Sequence, residues 1–482
     1  MRGKVKNLLT LLRIMGMVKY KWLVIYVLIA VVSVIILLTH ALNNGFPLLY
    51  SDTGSYILSG MEHSVPSDRP LMYGVLIWAT GMGVSLWQVA VFQALLVGYM
   101  IWLLLKCTFG TTRSSFLILP LVLLLLTVIT GVSFYVSFLI PDIFAAVSIF
   151  GILLMISFPD MKKPHRIALF FATVIPALTH YSNLINILSV ALAFLVLIIF
   201  FRRKTFVANR IKSFYFVLFT VIVVFVLNSL LPKLFDESKR PVKSNFAHPF
   251  ATLLESGLVH EFLRENCDDS SYSFCKNINE LPRNHGYFLW NMNSPLYKDC
   301  GSIKNCRAVK EEEMGRIIRA MLCDPCYLQG ISCFALERTR HQLFHIDVIS
   351  LQEYNEEYPL RLAIRKYFPG DMNAFLTSCQ SNNGYGVGAY NNFMRMVIYM
   401  SFILILISFF IPVFSKRIHQ NIKVFFWLFL VAMTSNAFVC SVLSSGNSRY
   451  QGRIIWIIPA VCLVIIIQLI LQLYRERKGK NS

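Results

Sequence analysis

The stretch 22-WLVIYVLIAVVSVIILL-38 contains one polar residue, Ser33, and no charge. As a helix rising about 1.5 Å per residue it reaches roughly 25 Å, close to the ~30 Å hydrocarbon core of a bilayer. Similar runs recur along the 482-residue chain, which is 56% hydrophobic, 14% aromatic and 15% charged, with mean hydropathy +0.60. A soluble domain covers itself with charge, and this chain carries too little to do so. The fold class implied is an all-α polytopic membrane protein. About ten spans are expected, near 22–40, 85–105, 115–133, 142–158, 166–180, 183–201, 212–231, 393–414, 422–443 and 453–474. The first is too long for a signal-peptide core and lacks a small-x-small cleavage site, so it reads as an uncleaved signal anchor.

The net charge is +20, from 45 Lys and Arg against 25 Asp and Glu. Loops on the side of the N-terminus hold 23 of those basic residues, in "MRGKVK", "KKPHR", "FRRK", "SKR", "RERKGK" and the span ends. The short loops on the other side hold only Arg69, Arg449 and Arg453. This asymmetry puts both termini in the cytoplasm. It also accounts for the basic excess as topology, leaving no nucleic-acid footprint. The expected location is a plasma membrane, in bacteria the inner one. The lack of any Asn-x-Ser/Thr sequon sits better with a bacterial source.

Two parts are expected. Residues 1–231, with about seven spans, and 393–482, with about three, form a membrane module; 232–392 is an inserted extracytoplasmic domain. The insert is near neutral, with 18 basic and 19 acidic residues. Helical spacing in "EEEMGRIIRAMLCDPCYLQGISCFALERTRHQLFHI" makes it mostly helical. Eight of the eleven cysteines fall within it: Cys267, Cys275, Cys300, Cys306, Cys323, Cys326, Cys333 and Cys379. An even number in an oxidising compartment points to disulfides, whose pairing is open. "CDPC", with Cys323 and Cys326, reads as bridge cysteines, the alternatives being half a zinc site or a redox pair. No internal repeat or inverted symmetry is evident.

The first outer loop, 41–84, is long and weakly polar. "SDTGSYILSG" can open a short helix capped by Ser51 or Asp52, and "RPLMYGVLIWATG" a second with Pro70 in its first turn. Both are expected along the interface, their aromatic residues at headgroup depth. The polar residues of the membrane module then gather at one level. Asp52, Asp68 and Arg69 lie in this loop, Asp142 opens the fourth span, and His180, Tyr181 and Asn183 make the turn between the fifth and sixth. Arg449 and Arg453 stand at the outer mouth of the last span, four apart and on one helical face with Trp456. No Asp, Glu, Lys or Arg falls at the middle of an expected span, so a polar site at the outer face is favoured over an ion path.

This arrangement resembles the GT-C superfamily of polyprenyl-phosphate-sugar-dependent glycosyltransferases. The shared features are an Asp just past the first span, two interfacial helices with the Arg69-Pro70 pair, "PDIFAA" in the second outer loop and arginines before the last span. The resemblance covers 1–231 and 393–482 and implies an inverting transferase whose sugar comes from a lipid phosphate. Its partners would be membrane lipid, the polyprenyl-phosphate-linked donor, and a glycan, lipid or protein acceptor. By resemblance Asp52 is the base for the acceptor hydroxyl; its alternative is a helix cap. Asp142 is a second active-site carboxylate or an acid suited to its own helix N-terminus. Arg449 and Arg453, and more weakly Arg69, would bind the phosphate, since guanidinium offers two charge-assisted hydrogen bonds; the alternative is snorkelling. Asp68 can balance Arg69. His180 and Tyr181 would orient donor or acceptor, or simply make an interfacial turn. No DxD, HExxH or spaced Cys/His set supports a divalent metal or other cofactor, and no P-loop or GxGxxG a nucleotide sugar. Asp268–Asp269 reads as a solvated loop. Two other readings stay open: a transporter or flippase for a lipid-linked substrate, and a non-catalytic assembly protein.

Overall fold

The computed structural model describes residues 21–66, 69–201, 210–235, 246–267, 272–298 and 303–480. Asp68, Asp268, Asp269, Cys300 and the basic runs at 1–6 and 202–204 lie outside these residues. Among the described residues the regular structure is all helix, with two isolated bridges.

In the first half, the helices are α1 Lys21–Leu37, α2 Thr39–Asn44, α3 Thr53–Met61, α4 Met72–Gly81, α5 Trp87–Phe109, α6 Thr112–Ile129 and α7 Val132–Ser137. They are followed by α8 Asp142–Ser157, α9 Lys163–Ala177, α10 Tyr181–Phe201 and α11 Ile211–Phe235. The insert contributes α12 Ala247–Ser256, α13 Leu258–Asn266, α14 His285–Trp290, α15 Ile303–Cys323, α16 Pro325–Phe344 and α17 Pro359–Tyr367. The chain then returns through α18 Gly388–Phe410, α19 Gln420–Val442, α20 Ser448–Ile455 and α21 Ile457–Lys480.

Seven helical stretches among the described residues are long and apolar enough to cross a membrane. They comprise α5, α6, α10, α11, α18, α19 and the joined α20–α21. Their outward faces carry Leu192, Val196, Phe219, Phe225, Ile403 and Trp427 in the open, a band that a soluble protein would not expose. The protein is membrane-embedded. Two of the ten expected spans, α8 and α9, are shorter, and α1 is described only from Lys21 onward. Helix α8 has 16 residues, all buried, and at about 1.5 Å per residue covers only some 24 Å. It starts at Asp142, which lines the cavity described below. A methyl group on Gly151 would strike the Thr173 side chain, so the glycine lets that side chain of α9 seat against the backbone of α8.

The two short helices expected in the first loop are present as α3 and α4. They cross at Gly60 and Gly74, where a methyl group on Gly60 would fall on the Gly74 carbonyl. Their tyrosines are buried in the bundle rather than exposed on its surface. Tyr56 and Tyr73 turn inward with ring centroids 5.0 Å apart, and the Tyr73 hydroxyl donates to Gln93 Oε1 at 3.0 Å; Trp78 is the exposed ring. A buried hydroxyl needs a partner, and Gln93 supplies it from α5.

The insert divides between two cores. Residues from Ala247 to Met321 close a core of their own, centred on Phe250, Phe274 and Phe288. Ile346, Leu351, Leu360, Phe368 and Phe375 instead join the core of the membrane bundle. The cysteine reading is corrected in part. Cys267–Cys275 is a disulfide and Cys306 is disulfide-bonded, but Cys323, Cys326, Cys333 and Cys379 are free and exposed. "CDPC" carries no bridge because the chain changes helix within it: Cys323 ends α15, and Asp324 caps α16 by accepting from Cys326 N–H at 2.8 Å.

Candidate active site

The loops bearing the two aspartates are sewn together by backbone bonds. Leu48 N–H donates to Ser137 O and Leu139 N–H to Leu48 O, each at 2.9 Å. Thr53 extends the seam: its hydroxyl accepts from Tyr50 N–H at 3.0 Å and donates to Leu139 O at 2.9 Å. Asp52 therefore has a fixed place above Asp142. It precedes α3 in helical conformation and makes no side-chain cap, contrary to the cap expectation. Its carboxylate turns instead to Arg69, 3.1 Å away. Arg69 also donates to Ser55 Oγ at 3.0 Å and lies over the Tyr56 ring.

Asp142 is in a different situation. It opens α8 after Pro141, and Arg453 Nη1 donates to its Oδ1 at 2.9 Å, while Arg449 Nε lies 3.9 Å from Oδ2. The Asp52 side chain is 33% exposed and that of Asp142 only 3%. Arg453 is wholly buried, and its Nη2 reaches Ser182 Oγ at 3.2 Å and Asn436 Oδ1 at 3.3 Å. Trp456 donates to Arg453 O at 2.9 Å and stacks on Phe150. A residue so enclosed is not snorkelling. It is the buried half of an ion pair, fixed by neutral hydrogen bonds on its far side.

Arg449 lies between the rings of Tyr50 and Tyr450, its guanidinium carbon 4.6 and 5.0 Å from their centroids. Its Nε and Nη1 are buried without a hydrogen-bond acceptor among the described residues. Unsatisfied charged donors are costly, so they mark a place where an anion would be stabilised. Among the described residues, the guanidiniums of Arg69, Arg449 and Arg453 face the carboxylates of Asp52 and Asp142.

His180 closes the group. Its Nδ1 accepts from Ser182 N–H at 3.2 Å and lies 2.7 Å from Ser182 Oγ. Burial first, and then the Arg453 and Arg449 guanidiniums, hold its pKa well below the usual 6.5. The neutral ring with an accepting Nδ1 carries its proton on Nε2.

These residues enclose one cavity of about 850 Å³. Asp52, Arg69, Asp142, His180, Tyr181 and Arg449 all line it; Arg453 stands behind its floor. Residues from positions 52 and 449 thus meet in one space. Sequence reasoning missed the opposite wall, made by His248, Pro249, His285, Trp290 and Tyr358. It also missed Tyr50 and the loop residues Leu443–Ser445 and Asn447. No spacing signal connects these positions; only the packing of the insert brings them here. Among the described residues no three His, Cys, Asp or Glu side chains group as metal ligands would.

No protein-family model matches the chain, and no curated protein or solved structure is detectably similar to it.

Proposed function

We propose that the protein is an integral membrane glycosyltransferase of GT-C type, moving a sugar from a polyprenyl-phosphate-linked donor to an acceptor on the extracytoplasmic face. The observation that carries this reading is the pairing of an accessible carboxylate, Asp52, with the unsatisfied donors of Arg449 across one cavity. In the reaction, the acceptor hydroxyl oxygen bonds to the anomeric carbon while the bond from that carbon to the phosphate oxygen breaks. The hydroxyl proton passes to Asp52, and the electron pair stays on the departing phosphate oxygen, whose charge Arg449 stabilises by donating hydrogen bonds. A single displacement inverts the anomeric centre. Arg69 orients Asp52 through their ion pair. Asp142 is assigned to hold Arg449 and Arg453 in place, because its carboxylate is enclosed and paired.

A transport reading is weaker, since the floor beneath Asp142 is filled by Arg453, Asn436, Gln451 and Trp456, all buried. The test is transfer by protein in lipid nanodiscs from a panel of polyprenyl-phosphate-linked hexoses and pentoses, together with binding of farnesyl phosphate. Arg449→Ala is expected to weaken farnesyl phosphate binding about ten- to hundredfold, the loss of charge-assisted bonds worth roughly 1.5–3 kcal/mol. Undiminished binding by Arg449→Ala would remove the phosphate assignment.

A further inference from the structure

The two arginines of α20 are held in different ways. Arg453 is fixed through its side chain, by Asp142, Ser182 Oγ and Asn436 Oδ1 of the bundle. Arg449 has no comparable grip. Beyond the flanking Tyr50 and Tyr450 rings, its guanidinium makes one marginal bond among the described residues, from Nη2 to the Tyr450 hydroxyl at 3.5 Å, and an ion contact with Asp142 at 3.9 Å. It is the second residue of α20, so its place is set by the backbone that enters the helix. That backbone is the loop 443–447, whose last residue caps α20: Asn447 Oδ1 accepts from Arg449 N–H at 3.0 Å.

The loop is gripped from the insert. The last carbonyls of a helix have no partner within it, and Arg338 of α16 takes one at the end of α19: its Nε donates to Ser441 O at 3.2 Å and its Nη2 to Ser445 O at 3.1 Å. One turn on, Gln342, 2% exposed, makes a two-way pair with the Asn447 backbone. Its Nε2 donates to Asn447 O at 2.8 Å, and its Oε1 accepts from Asn447 N–H at 3.1 Å. Thr252 Oγ1 of α12 adds a bond to Ser444 O at 3.0 Å. Between these holds Gly446 takes φ +63°, where a methyl group would come within 3.3 Å of Gln342 Oε1. The gripping helix is itself rooted: Glu255 pairs with Arg338 Nη1 at 2.6 Å, and Tyr327, Ile331 and Phe334 of α16 pack on the insert's core. Every one of these five bonds goes to main chain, so together they fix the path of the backbone into Arg449.

We infer that Arg338 and Gln342 are positioning residues for Arg449, so that the insert, and not the membrane bundle alone, sets the arginine assigned to the donor phosphate. The inference rests on the phosphate reading for what Arg449 binds; the grip on the loop stands on its own bonds. Freedom in the loop would have to be given up when Arg449 Nε and Nη1 meet an anion, and a loop ordered beforehand spares that cost. The insert thereby acts on the phosphate without touching it.

The test measures farnesyl phosphate affinity and amide hydrogen exchange on the full chain in nanodiscs. The variants are Gln342→Ala, Arg338→Met and Arg338→Lys, each also made in an Arg449→Ala background. Gln342→Ala and Arg338→Met are expected to weaken farnesyl phosphate binding about three- to tenfold. Arg338→Lys keeps a donor and the pair with Glu255, so it should lose less. In the Arg449→Ala background none should weaken binding further, because all act through that side chain. Exchange in 443–452 should quicken about tenfold, while α5 and α8 keep wild-type protection and show that the variants are folded. Where Arg449→Ala itself weakens binding, wild-type affinity in Gln342→Ala and Arg338→Met would overturn the inference, as would a loss of the same size with Arg449 absent. Unchanged exchange in 443–452 would overturn it in every case. Binding indifferent to Arg449→Ala would defeat the phosphate reading, and quickened exchange would then still support the grip on Arg449, so the two failures are distinct.

Discussion

Replacing Asp142 with asparagine would test how the floor of the cavity is built. The substitution keeps size and a hydrogen-bonding side chain but removes the only carboxylate among the described residues that pairs with Arg453, at 2.9 Å, and with Arg449, at 3.9 Å. Arg453 has no exposure and would keep neutral acceptors alone, Ser182 Oγ, Asn436 Oδ1 and Cys440 Sγ. Breaking a buried pair by removing one partner costs about 3–5 kcal/mol, because the remaining charge is stranded. Arg453→Met should cost less, since Asp142 then still has Arg449. In the Asp142→Asn/Arg453→Met double variant only Arg449 is stranded, so the double should be more stable than Asp142→Asn alone. The coupling should fall at about 1–3 kcal/mol. Equilibrium unfolding in bicelles, read by steric trapping, measures all three variants. The reasoning fails if Asp142→Asn lies within about 0.5 kcal/mol of wild type, or if the double variant is destabilised by the sum of the singles.

Gly60→Ala would place a methyl group on the Gly74 carbonyl where α3 and α4 cross. It should destabilise the protein by about 1–3 kcal/mol, with a lowered melting temperature in detergent, while Ala at the open position Gly386 should leave it unchanged. His180 has a folded-state pKa well below 6.5, so the unfolded chain binds its proton first as pH falls. Its contribution to stability is present above about pH 6.5 and is lost progressively below it; His180→Gln should flatten that part of the stability–pH curve. Cys323, Cys326 and Cys333 are exposed thiols and should react with a membrane-impermeant maleimide without reduction. Cys267 and Cys275 should require reductant first, and mass spectrometry of the labelled peptides distinguishes the two sets.

What could be read from the residues was what local chemistry determines. The glycines and Pro70 punctuate 51–81 strongly enough to place two short helices, and α3 and α4 lie there. The convergence of Asp52, Arg69, Asp142, His180, Tyr181 and Arg449 followed from putting every polar turn at one end of the bundle. Depth was less legible. Helix α8 looks like a span by composition, yet it begins at the cavity and is shorter than α10 and α19, which pack on it. The expected cap at Asp52 failed because Arg69 offers its carboxylate a charged partner, which a backbone N–H does not match. The aromatic wall left no trace, since His248 and Trp290 are placed by the core around Phe250 and Phe288 and by Glu255–Arg338, contacts between distant positions.

The central claim is that Asp52 takes the acceptor's proton at a site whose phosphate is held by the far end of the chain. Its most direct test is the transfer rate of Asp52→Asn against wild type in nanodiscs, with a polyprenyl-phosphate-linked donor and equal farnesyl phosphate binding as the control for folding. The account predicts a rate lower by about 10²–10⁴-fold, the usual contribution of a positioned base. Transfer at the wild-type rate by that variant would contradict it.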